Sequence, residues 1–203
     1  MTRIERLARL LQEDPILVAG PPYVENGQAN VRYLTDLASS NSAVLVEPDG
    51  VATLYTDFRY ANRARALDGV EVVETARGLI PAVGELLSGR RVLVEEQHLP
   101  YALYRALSEA GVDVVPSSGL VEGLRAVKDD DEIATMRRAG SLSDEMFEAL
   151  AREQFSGRSE RDLVWWIERT FREAGAEGIA FDPIVAAGAT GETPHAVPGD
   201  GLI

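Results

Sequence analysis

One stretch of this chain carries residue types and spacing suited to chemistry: Phe181-Asp-Pro-Ile-Val-Ala-Ala-Gly188-Ala-Thr-Gly-Glu-Thr-Pro194-His195. It reads as a strand, a glycine-rich loop, and a proline ahead of a single histidine. Gly188 and Gly191 let the loop turn tightly. Pro194 biases its predecessor toward extended backbone. A neutral imidazole held on such a loop can donate to, or accept from, a substrate near physiological pH. On local pattern alone an ordinary loop histidine is the leading reading of His195, and a substrate-contacting one is the alternative.

Other candidates are weaker. Histidine occurs twice, at 98 and 195, and cysteine not at all. Disulfides, thiolate zinc sites and cysteine nucleophiles are excluded, and a zinc site would need carboxylate help. His98, in Glu95-Glu-Gln-His98-Leu-Pro, follows a strand and reads as a solvated loop residue. The acidic run Asp129–Glu132 reads as a helix N-terminus favoured by the helix dipole, not as a metal site. Trp165 and Trp166 stand about 100° apart on a helix, so one faces a core and the other a neighbouring surface. No glycine-rich dinucleotide fingerprint, P-loop or nucleophile-elbow serine motif occurs.

The elements that must position these residues follow from periodicity. Ile4, Leu7, Ala8 and Leu11 mark a helix face. Pro15–Gly20 reads as a buried strand, with a Pro21-Pro22 loop after it. Ser42–Val46 and Val51–Tyr55 flank Glu47-Pro-Asp-Gly50, a hairpin signal. Asp57 caps a helix running to about Leu67, with Arg59-Tyr60 as packing at its start. Strand Val70–Val73, helix Leu79–Leu87, strand Arg91–Glu95, helix Tyr101–Ala110 and strand Val112–Val115 follow. Such alternation predicts an α/β domain with a parallel or mixed sheet. The texture changes at Pro116-Ser-Ser-Gly119, and a short Leu120–Val127 segment leads to Lys128. Asp129 with Glu132 forms a capping box for a long helix. In that helix Gly140 and Ser143 suggest a closely approaching neighbour. Ser159 opens a second helix, with Leu163, Ile167, Phe171 and Ala174 inward and Gly175 ending it. The expected division is residues 1–120 and 121–203.

Composition bounds the function. The chain has 203 residues, 45% of them hydrophobic, which is enough for a real core, and a formal net charge of −13. That acidity argues against nucleic-acid partners. No apolar run is long enough to span a membrane, and the N-terminus is amphipathic rather than a signal peptide. A cytoplasmic location is expected.

Four separated segments together resemble a known family. Tyr33-Leu-Thr-Asp-Leu with Ser40-Asn-Ser-Ala-Val-Leu-Val46, Tyr55-Thr-Asp-Phe-Arg-Tyr60, Leu124-Arg-Ala-Val-Lys128 through Glu132-Ile to Met136-Arg-Arg-Ala139, and Phe181-Asp-Pro-Ile-Val-Ala-Ala-Gly188 to Pro194-His195 are similar, in order, to motifs of the creatinase/prolidase/Xaa-Pro aminopeptidase family. Asp36 departs from it, standing where the family often has glycine. The resemblance implies a creatinase-type N-terminal α/β domain, a mixed sheet flanked by helices, over 1–120. The start of an α+β pita-bread peptidase domain follows over 121–203. It implies a proline-directed metallopeptidase, an Xaa-Pro aminopeptidase or dipeptidase, acting as a homodimer on peptides with proline second. The cofactor it implies is two divalent ions (manganese, cobalt or zinc) held by two Asp, one His and two Glu. Those ligands lie downstream of the Pro-His motif, beyond residue 203. Only His195 carries over, as a substrate-side histidine. No metal ligand is assigned in this chain, no cofactor is expected in it, and alone it is expected to be inactive. A metal-free creatinase-like amidinohydrolase and a non-catalytic protein-binding member are the alternatives.

Overall fold

A computed structural model describes residues 1–24 and 28–203. They form two compact units, Met1–Val127 and Lys128–Ile203.

The first unit is built on strands β1 (Ile16–Ala19), β2 (Ser42–Val46), β3 (Ala52–Asp57), β4 (Glu71–Thr75), β5 (Arg91–Glu95) and β6 (Asp113–Ser117). They make one sheet in the order β4-β3-β2-β1-β5-β6. β2 runs antiparallel to β1 and β3, while the β1/β5, β3/β4 and β5/β6 pairs are parallel. The helices are α1 (Arg3–Ala8), α2 (Ala29–Thr35), α3 (Phe58–Ala64), α4 (Leu79–Leu86), α5 (Tyr101–Glu109) and α6 (Leu120–Ala126). This is a mixed sheet flanked by helices, one of the arrangements the alternation leaves open and the one the resemblance implies.

The central strands read as near-continuous apolar runs because both faces are covered. Ile16 and Val18 of β1, with Val44 and Val46 of β2, pack into one core with Leu7, Val31, Leu34 and Val121 from α1, α2 and α6. Leu17, Ala19, Ala43 and Leu45 point the other way, onto Leu79, Ile80 and Val83 of α4 and Leu107 of α5. The period of two places alternate residues on opposite faces. The hairpin closes as expected, with Gly50 at φ +92 and its N–H donating to the Glu47 carbonyl at 3.0 Å.

Two features of this unit differ from the sequence reading. Helix α2 is unmarked in the pattern: it has seven residues and no side-chain cap. It ends on Asp36 at φ 61, ψ 8. That left-handed conformation is free to glycine and tolerable for aspartate. The second difference is the Leu120–Val127 segment. It is a helix whose Val121 is fully buried in the first unit's core.

The second unit consists of α7 (Asp130–Leu150), α8 (Glu160–Glu173) and connecting chain. Both helices start with reciprocal capping boxes, Asp129 with Glu132 and Ser159 with Asp162. Among the described residues, nothing beyond its own helix backbone and chain neighbours lies within 4 Å of where a Cβ on Gly140 would stand, so no close neighbour is seen there. The Phe181–Val185 stretch is not a strand. A strand needs a ladder partner, and among the described residues of this unit the only pairing is the isolated bridge Ser159–Leu202. Leu163 is buried as expected, whereas Ala174 is exposed.

Candidate functional site

The loop bearing His195 is tied to the N-terminus of α8 through one buried carboxylate. Glu160, the first residue of α8, is 3% exposed. Its Oε1 accepts from the Ala187 N–H at 2.9 Å and the Thr190 hydroxyl at 2.5 Å. Its Oε2 accepts from the Gly199 N–H at 3.0 Å. The Thr190 hydroxyl first, then the Gly199 and Ala187 amides, hold this carboxyl below its ordinary pKa. Hydrogen bonds to the ionised form have that effect. Both ends of the 187–199 loop are thus clamped on one side chain, and Arg161 N–H adds a bond to the Gly199 carbonyl at 3.0 Å.

Between the two clamps the backbone turns through a short 3₁₀ segment, Gly188–Glu192. Gly188 sits at φ +57, a left-handed conformation that favours glycine. Thr193 is extended at φ −97, ψ 113, as the residue before a proline should be. His195 itself is left-handed at φ 57. That conformation is uncommon outside glycine and clusters at functional positions. Its imidazole is exposed.

Among the described residues of the second unit, no three His, Cys, Asp or Glu side chains come near enough to share an ion. The first unit does hold one such group, Glu95, His98 and Glu122, with ligand atoms within 4.8 Å of one another. His98 is therefore not simply solvated: its Nε2 lies 2.6 Å from Glu122 Oε1. The Asn30 amide donates to Glu95 Oε1 at 2.6 Å and to Glu122 Oε1 at 2.5 Å, and its carbonyl accepts from Arg125 at 2.7 Å. Burial pushes Glu95 up to about 7, against the pull of the Asn30 bond. Burial would also raise Glu122, but the bonds from Asn30 and His98 bring it below its ordinary value. Sequence pattern misses this group because it joins the end of β5, the turn after it and α6. The one local signal is the three-residue spacing of Glu95 and His98 within a turn.

The remaining motif residues of the first unit form a structural anchor. Arg59 grips Asp57 with two bonds of 2.9 and 2.6 Å, and its N–H is capped by the same carboxylate at 3.0 Å. Asn41 donates to Asp57 at 2.7 Å, and Ser40 bonds the Tyr60 hydroxyl at 2.9 Å. The S-N and T-D-x-R-Y segments are two halves of one network.

Comparison with known proteins supplies the family. Residues 3–127 match the creatinase/prolidase N-terminal domain, and residues 134–203 match metallopeptidase family M24. The chain belongs to this creatinase/prolidase family. An uncharacterized peptidase of Bacillus subtilis is 31% identical over 180 residues, covering 86% of this chain and 51% of its own length. The Xaa-Pro dipeptidase of Bacillus anthracis superposes with a TM-score of 0.85 at 30% identity, over 99% of this chain and 57% of that one. An X-Pro aminopeptidase from Thermotoga maritima superposes at 0.80 and 28% identity, over 98% of this chain and 57% of that one. The chain spans about half the length of the curated relatives it matches.

Proposed function

We propose that this chain is the front portion of a proline-directed peptidase, an Xaa-Pro dipeptidase or aminopeptidase that cleaves the bond before proline. The observation that carries the reading is the near-complete superposition on Xaa-Pro peptidases of both kinds at 28–30% identity. The four ordered motifs support it. In this reading a dinuclear centre of manganese, cobalt or zinc supplies the activated water, and its ligands come from residues beyond 203. Residues 121–203 open the peptidase domain, and the complete protein works as a cytoplasmic homodimer on peptides with proline second. The charge of −13 suits a freely soluble protein, and among the described residues no helix is long and apolar enough to cross a membrane.

His195 is the residue of this chain that touches substrate. Its exposed imidazole, on a loop pinned at both ends by Glu160, can donate to the scissile carbonyl as negative charge develops there. Glu160 acts as its positioning residue. Removing one such donor elsewhere costs roughly 2.7–4 kcal/mol of transition-state stabilisation. The test is His195→Ala in the full reading frame, assayed on an Xaa-Pro dipeptide and a longer Xaa-Pro peptide. The expected result is a fall in kcat of ~100-fold or more with metal content unchanged. Unchanged turnover would return His195 to an ordinary loop residue. Loss of metal along with activity would make it a ligand, against the assignment. Absence of any Xaa-Pro cleavage by the wild-type protein would overturn the activity itself.

A further inference from the structure

β1 and β5 are parallel neighbours at the centre of the sheet. From β1 the chain moves to β2 on one side, and from β5 it moves to β6 on the other. In open α/β sheets, ligands bind outside the carboxyl ends of strands at such a divergence. A cleft of about 200 Å³ lies there, lined by Ala19 and Gly20 at the end of β1, Asn30 of α2, and Glu95 and His98 at the end of β5.

Three observations give this cleft a chemistry. Glu95 is 6% exposed, and its Oε2 is buried without a hydrogen-bond partner. A buried carboxylate oxygen left unpaired is costly. Its Oε1 is already taken by Asn30, so the orphan atom is the one left to bind something. His98 and Glu122 bring an imidazole nitrogen and a second carboxylate within 4.8 Å. Arg125, the cation beside the group, is engaged with the Asn30 carbonyl. That bond fixes the amide so that its NH₂ faces both carboxylates. Such outer bonds orient first-sphere ligands in metal sites.

We propose that the first unit binds one divalent transition cation, of the zinc class, through Glu95, His98 and Glu122. Two carboxylates and an imidazole suit zinc better than magnesium, which keeps to oxygen ligands and its waters. Three protein ligands leave a fourth position, facing the cleft, for water. The cation supplies the orphan oxygen with a partner and offsets the net negative charge of two carboxylates against one guanidinium. The site lies wholly within residues 1–127 and does not depend on the role given to His195.

The test is calorimetric titration of the 203-residue chain, stripped with chelator, with Zn²⁺ and separately with Mg²⁺. We expect one Zn²⁺ per chain and no detectable Mg²⁺ binding. His98→Ala and Glu95→Gln should each weaken Zn²⁺ binding ~10-fold or more, while His195→Ala leaves it unchanged. Circular dichroism checks folding. If Glu95→Gln does not fold, the partly exposed His98→Ala carries the result alone. No Zn²⁺ binding, or affinity unchanged in the folded variants, would overturn the proposal. Loss of binding in His195→Ala would do so too, by moving the site to the second unit.

Discussion

Asp57 is wholly buried, with its side chain at 0% exposure, yet it is ionised at ordinary pH. The bidentate Arg59 bond first, with the Asn41 and backbone bonds, outweighs burial and holds its carboxyl down to about 2, against an ordinary 3.8. A carboxylate more acidic when folded stabilises the fold above its unfolded pKa and loses that contribution as pH falls through the folded one. We therefore expect the Asp57 network to contribute about 2 kcal/mol near pH 6, declining between about pH 4 and pH 2. Urea unfolding of wild type and Asp57→Asn across this range checks it. The stability gap should be widest at pH 5–6 and close toward pH 2, and a gap independent of pH would contradict the account. At this scale the sequence shows the partners without showing that they meet. Asn41 and Asp57 each stand out as motif letters, and Asp57 as a helix cap, but their bond follows only from β2 and β3 pairing in register. His195 is visible as the sole histidine behind a Pro-Gly loop. Glu160 is not, since it looks like any acidic residue in a first helical turn until the 187–199 loop returns to it.

Among the elements, legibility tracks whether the signal is local. Capping boxes are local, so α7 and α8 begin where Asp129 and Ser159 predict. The β2–β3 hairpin is local too. Helix α2 has neither a capping side chain nor length. Its stability comes from burying Val31 and Leu34 against α1 and the sheet, which no window of sequence displays. Phe181–Val185 has strand composition, but composition cannot provide a ladder. Gly140 separates two physical accounts. If a glycine in α7 kept space for a neighbour, adding a methyl would destabilise. The helix interior there is open, so Gly140→Ala should instead stabilise α7 by about 0.5–1 kcal/mol through backbone entropy alone. Thermal denaturation followed at 222 nm reads the sign. A lower midpoint would show that a partner does pack on this face.

Across the molecule, burial is distributed unequally between the two units. The first has two cores, one on each face of a six-stranded sheet, with Leu7, Ile16, Val44, Val46, Leu54, Val83 and Leu107 at 0% exposure. In the second, the buried hydrophobic residues are Met146 and Leu163. Phe147 at 62%, Trp165 at 63%, Phe181 at 80% and Val197 at 88% face outward. The order of elements in the sequence foreshadows this difference, since the second unit offers amphipathic helices with no sheet to bury their apolar faces. An apolar stripe records that a helix needs a partner surface, not that the surface lies within the same residues. Regions with few buried apolar contacts open at low free energy, and proteases act on the opened state. Limited proteolysis of this chain should therefore cut first within 128–203 and leave a resistant fragment ending near Val127. Mass spectrometry of the early fragments identifies the sites. Early cleavage inside β1–β6 would contradict the burial argument, and uniform resistance at low concentration would mean the second unit is held by contacts beyond its own core. A resistant chain that becomes sensitive on dilution would place those contacts between copies. That outcome would tie the stability of the His195 loop to association, since both of its anchors sit on α8.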